Sequence, residues 1–131
     1  MAAFEGFYTQ EEREKLNKQA IKKLTSIFKD LDKNKFSVIK SLIESVAFMS
    51  VQLKELEGVI KRDGAIEEYR NGRFQSGLKK SVAVEVYNSL IKNYSTCLKQ
   101  LIDVLKSDFD ETNENIGDKF DEFLSMGRNQ Y

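Results

Sequence analysis

An all-α fold is what this 131-residue sequence predicts: an antiparallel long helical hairpin with an N-terminal amphipathic helix and a short C-terminal helix. Two long segments, from about Phe36 to Asp63 and from Ser81 to Lys106, repeat apolar residues at steps of three and four, the spacing of one helix face. Each would span roughly 40 Å at 1.5 Å per residue, so the two match in length and should lie antiparallel at a shallow angle. Between them, Arg62 to Lys80 holds three of the chain's seven glycines, Gly64, Gly72 and Gly77. Glycine enters left-handed backbone without a Cβ penalty, so Gly64 is placed to end a helix and Asn71-Gly72 to make a tight turn.

The elements follow in order. Residues 1–8, with Phe4, Phe7 and Tyr8, lack periodicity and read as a mobile arm. Thr9-Gln10-Glu11-Glu12 fits a capping box and should start the first helix. Leu16, Ala20, Leu24, Ile27, Phe28 and Leu31 form its apolar stripe, and Asp32-Lys33-Asn34 reads as a short connection.

The second helix carries a seam of Ile39, Ile43, Val46, Met49, Leu53, Leu56 and Ile60. Val38, Leu42, Phe48, Val51 and Val59 fall outside it, so its apolar arc is wider than one partner helix covers. Either two other helices of the chain pack on it or neighbouring subunits do. Ser81 can cap the third helix, whose seam is Val84, Tyr87, Ile91, Tyr94, Leu98, Leu101 and Leu105. Val86, Leu90 and Cys97 flank that seam, and Cys97 reads as a small buried hydrophobe. In the tail, Ile116, Phe120, Phe123 and Leu124 mark a short amphipathic helix. It reads equally as a docking peptide for another protein or as a segment packed back on its own body.

Composition excludes more than it identifies. Histidine, proline and tryptophan are absent, and without histidine the commonest general base and metal ligand is missing. There is no phosphate-binding glycine loop, and a calcium loop from Asp108 fails because Asn113 and Lys119 stand where glycine and glutamate belong. A catalytic site, a cofactor and a metal are therefore not expected. The single Cys97 cannot form an intrachain disulfide, and Lys54, Glu55 and Glu57 interrupt the most apolar stretch, so no membrane partner is expected.

Charge carries the functional hint. Net charge is zero, but residues 107–131 hold seven acids against Lys119 and Arg128, leaving −5 there and +5 on residues 1–106. At roughly 100° per residue, Lys15, Lys18, Lys22, Lys29 and Lys33 fall within an arc of about 60° opposite the first helix's apolar stripe. Arg70, Arg73, Lys79 and Lys80 gather at the bend. Such rows suit phosphates, because neutralising them releases condensed counterions. Lysine is also the default residue of a solvated helix face, and on charge alone both readings stand.

From Phe36 to Lys106 the order of features resembles the small terminase subunit of tailed bacteriophages. The residues that carry the likeness are Gly64 ending a long helix, then Tyr69, Asn71 and Gly72. The basic pair Lys79-Lys80 follows and opens a long helix with Val84 and the run Leu98, Leu101, Leu105. Val82 and Lys106 stand where such subunits commonly carry a proline and a Gly-Leu-Thr-Pro-like close. The resemblance implies a non-enzymatic, ring-forming homo-oligomer that binds viral double-stranded DNA in the bacterial host cytoplasm. It also implies that the ring hands that DNA to the large terminase subunit, an ATPase and nuclease. Charge then assigns the parts: residues 9–106 are the oligomerisation and DNA-binding domain, with the basic first helix as candidate DNA surface, and residues 107–131 an acidic tail that is the candidate dock for the large subunit. The competing reading is a non-enzymatic oligomeric helical scaffold or adaptor without nucleic-acid binding.

Overall fold

The structure, a computed structural model, describes residues 6–70, 76–108 and 122–125. Three helices and a two-stranded hairpin follow in the order α1 Gln10–Ile27, α2 Lys33–Asp63, β1 Ile66–Arg70, β2 Ser76–Lys80 and α3 Val82–Asp108. The molecule is mostly helical, as its periodicity predicts. Residues 122–125 add one helical turn.

Helix boundaries follow local chemistry. Thr9 caps α1, its Oγ1 accepting from the Glu12 N–H at 3.1 Å. Ser81 caps α3 in the same way, accepting from the Val84 N–H at 3.2 Å. Gly64 ends α2 with φ +86°, where a Cβ would be strained, and donates its N–H to the Ile60 carbonyl at 2.7 Å. α1 ends earlier than its apolar stripe suggests. The Phe28 N–H donates to Thr25 O at 3.1 Å and the Leu31 N–H to Phe28 O at 3.0 Å, tightening residues 28–31 into a turn. That turn keeps both Phe28 and Leu31 in the core while reversing the chain, and α2 begins at Lys33, three residues before the expected start.

α2 is the central element, packed against both α1 and α3. Arg13 pairs with Glu55, so α1 lies antiparallel to α2. The Tyr87 hydroxyl donates to Glu57 at 3.1 Å, so α3 is antiparallel to α2 as well. The core is concentrated at the end away from the hairpin, where Leu24, Phe28, Ile43, Val46, Leu101 and Leu105 are fully buried. Toward the hairpin the α3 seam opens, with Val84, Tyr87 and Ile91 only half-buried. Cys97 is half-buried also, less enclosed than its flanking position suggests.

The surplus apolar arc of α2 is partly covered within the chain. Val51 and Val59 are buried, while Val38 and Phe48 remain 79% and 55% exposed. Residues 6–8, expected as part of a mobile arm, are seated on α2. The Tyr8 N–H donates to Glu55 at 2.8 Å, and the Phe7 ring lies so close to Gly58 that a Cβ there would stand 2.7 Å from it. By length and composition α2 is apolar enough to cross a membrane, an 18-residue window of it having mean hydropathy 1.4 despite Lys54, Glu55 and Glu57, a test that the core helix of a soluble protein also passes. Those charges occupy only its C-terminal part, and 44% of its most apolar window is buried in the protein.

The bend differs from a purely helical connection. β1 and β2 pair antiparallel in the register Ile66 to Lys80, Glu68 to Leu78 and Arg70 to Ser76. Alternation places Ile66 and Leu78 on one face, 63% and 74% exposed, and Glu67 with Lys79 on the other, where they pair at 3.3 Å. The Ser81 N–H donates to Ala65 O at 2.9 Å, closing the base of the hairpin beside the start of α3. The expected Asn71-Gly72 turn lies outside the described residues.

Tyr94 supplies a pH test of this packing. Burial pushes its phenol up to about 12, and burial and then the Glu57 hydrogen bond raise Tyr87 as well. A raised folded pKa means the stabilisation is complete below the unfolded value near 10 and is lost as pH rises through the folded value. A shift of that size corresponds to about 3 kcal/mol. Urea titrations at pH 9 and at pH 12 should show wild type losing about 2–3 kcal/mol more than Tyr94→Phe across that interval. Equal losses would place the hydroxyl in contact with water.

Candidate nucleic-acid interface

Burial of Ala20, Leu24 and Ile27 fixes the rotation of α1 and leaves Lys15, Lys18 and Lys22 exposed along its outer side. With 1.5 Å per residue these three ammonium groups mark a strip roughly 10 Å long. The single five-lysine row expected from helical spacing is not formed. Lys29 lies exposed in the turn after α1 and Lys33 is the first residue of α2, because the helix ends at Ile27 and the chain reverses at Phe28.

The hairpin candidates form a separate group. Lys79 and Lys80 are exposed on β2, and Lys79 is engaged by Glu67. Arg70 belongs to β1, but its side chain, like all of Arg73, lies outside the described residues. Lys33 opens α2 and the hairpin follows the other end of that 31-residue helix, so Lys33 stands roughly 45 Å from the hairpin, whereas the start of α1, where Arg13 meets Glu55, lies toward the hairpin end. A duplex lying along α1 would meet Lys15, Lys18 and Lys22. Because α1 runs back along α2 from the hairpin end, Lys15 is the member of the strip nearest the hairpin.

Sequence spacing does not single out Lys23 or Lys54. Lys23 is half-buried on α1, near the exposed strip. The Lys54 ammonium is held below the ordinary lysine range, chiefly by burial, with Glu57 opposing and Lys23 adding to the shift. Nor does it point to Arg13, which anchors the start of α1. The Arg13 guanidinium donates to both Glu55 oxygens at 3.0 and 3.1 Å, a fork that raises its pKa through hydrogen bonding first. This pair joins residues 42 apart in sequence, beyond the reach of helical periodicity.

The tail candidates divide. Ile116 and Phe120 lie outside the described residues. Phe123, read as a possible docking residue, is 6% exposed and belongs to the chain's own core, whereas Leu124 is 39% exposed. The physical reason is an apolar seat at the end of α1. A cleft of about 240 Å³ there is lined by Lys23, Ser26, Ile27 and Lys29 together with Glu122 and Phe123.

A wider cleft of about 460 Å³ opens between α1 and α2, floored by Phe48 and Val51 and rimmed by Arg13, Glu14, Gln52 and Glu55. Asn17 lines it too, and its Oδ1 is buried without a hydrogen-bond partner. Among the described residues no group of histidine, cysteine and acidic side chains is arranged to hold a metal. No protein-family profile, curated protein or solved structure matches the chain.

Proposed function

We propose that this chain is a small terminase subunit of a tailed bacteriophage or prophage. It binds viral double-stranded DNA in the bacterial cytoplasm, assembles with copies of itself into a ring, and recruits or regulates the large ATPase–nuclease subunit without catalysis of its own. The observation that carries this reading is the resemblance from Phe36 to Lys106. Its marker residues run from the glycine that ends α2, through the hairpin, to the basic pair before α3.

Two features support it. Lys15, Lys18 and Lys22 of α1 are solvent-facing and form a continuous strip, the form a phosphate-contacting surface takes. Exposed Val38 and Phe48 on α2, together with Ile66, Leu78, Val82 and Val86 at the hairpin end, leave apolar surface that neighbouring copies can cover.

The second reading, an oligomeric helical scaffold or adaptor without nucleic-acid binding, draws on the same apolar surface and on the Glu67–Lys79 pair, which neutralises one candidate lysine. Retention of a duplex separates the two. The terminase reading expects binding at low salt that falls steeply as salt rises, by a chain whose mass in solution is that of a multi-subunit ring. A chain that ignores DNA at every salt concentration is a scaffold, and a monomer overturns both readings.

A further inference from the structure

The seat of Phe123 lies where basic residues of α1 meet residues 122–125 of the acidic tail. Lys23 and Lys29 share the cleft at the end of α1 with Glu122, and the anchoring side chain comes from one four-residue turn. We propose that this end of α1 is the docking site of the chain's own Glu122–Phe123 turn, and that the docked turn, whose Glu122 lines the same cleft as Lys23 and Lys29, competes with the phosphates of a duplex for those two lysines. The proposal rests on the DNA-binding reading and adds a regulator to it.

Three observations point the same way. Among described residues 122–125, Phe123 is 6% exposed while Glu122 and Leu124 are exposed, so its ring is what this turn buries. Burial of this ring is opposed by the entropy of ordering the residues that carry it, which favours exchange at the seat. Glu122 brings a negative charge into the cleft that Lys23 and Lys29 line, lowering the positive potential a phosphate would meet there. In sequence the turn belongs to a segment, residues 107–131, that carries −5 against +5 on residues 1–106.

The consequence is a coupling between partners. A protein that captures the Phe123 segment removes the competitor from the groove and raises affinity for DNA. By linkage, DNA then raises the affinity of that protein for the tail by the same factor.

The experiment measures binding of a labelled duplex to the full chain over a salt series, with wild type, Phe123→Ala and Phe123→Leu. Phe123→Ala empties the seat without altering charge. It is expected to bind several-fold tighter, with a salt dependence steeper by up to about 1.8 in log–log slope as two lysines join the interface. Phe123→Leu refills the seat and should stay near wild type. A second measurement needs no variant: hydrogen exchange of residues 122–125 in wild type should quicken when saturating duplex is added. If DNA binds but Phe123→Ala leaves affinity and slope unchanged, or residues 122–125 keep their protection with duplex bound, the competition is wrong and DNA binding stands. If wild type and both variants fail to bind DNA even at low salt, both ideas fall.

Discussion

Phe28→Ala is expected to destabilise the fold by about 3–5 kcal/mol, the range for truncating a fully buried aromatic ring. Phe28 is 0% exposed and stands where α1 gives way to the turn into α2. Its ring belongs to the same core cluster as Leu24, Ile27 and Leu31, which the turn brings together from both sides of the helix end. Its own amide and carbonyl are tied into the tight turn by the Thr25 and Leu31 backbone. That tethering limits how far the backbone can collapse into the space a methyl group leaves, which puts the cost toward the upper part of the range. The measurement is the urea midpoint at one fixed protein concentration, since self-association would otherwise shift it. Lys29→Ala, one residue on and exposed, should stay within about 0.5 kcal/mol of wild type. A loss below about 1 kcal/mol for Phe28→Ala would show that the turn is not what docks α1 on the core.

Features that depend on near neighbours along the chain are legible in the sequence itself. Thr9 and Ser81 cap helices because a hydroxyl reaches an amide two or three residues on, and Gly64 stops α2 because its backbone enters a region closed to a Cβ. The α3 seam is legible too, with Tyr94, Leu98, Leu101 and Leu105 all buried. The end of α1 is not. An apolar stripe running through Phe28 to Leu31 looks the same whether the helix continues or a tight turn folds those residues back into the same core. That ambiguity carries into the site, because Lys29 and Lys33 share a face with Lys15 only if the helix runs on. The hairpin escapes for another reason. Strands of five residues are held by partners six to fourteen positions away, such as Glu67 with Lys79, and a cluster of glycines signals a bend without saying what the bend contains. Phe123 shows the limit most clearly: an amphipathic turn has the same pattern whether its apolar side meets its own body or a stranger's, and only the seat at Ile27 decides between them.

Replacing Lys15, Lys18 and Lys22 together by glutamine is expected to weaken duplex binding on the order of 100-fold at about 0.15 M monovalent salt. Each phosphate contact contributes about 0.9 to the log–log salt slope, so three lost contacts make the slope shallower by about 2.7. Evaluated at that ionic strength, the lost counterion release accounts for the factor. Glutamine is the informative replacement because it removes charge while matching lysine closely in helix propensity, so α1 should keep its helicity. All three residues are exposed, and Ala20, Leu24 and Ile27, which dock α1 on the core, are untouched. The split geometry sharpens the comparison. Lys79→Gln with Lys80→Gln alters the hairpin group, where Glu67 already engages one of the two charges, so that pair should cost clearly less if the duplex lies on α1. The opposite ranking would move the interface to the hairpin. Equal and negligible losses from both sets, with binding otherwise intact, would place it on neither surface.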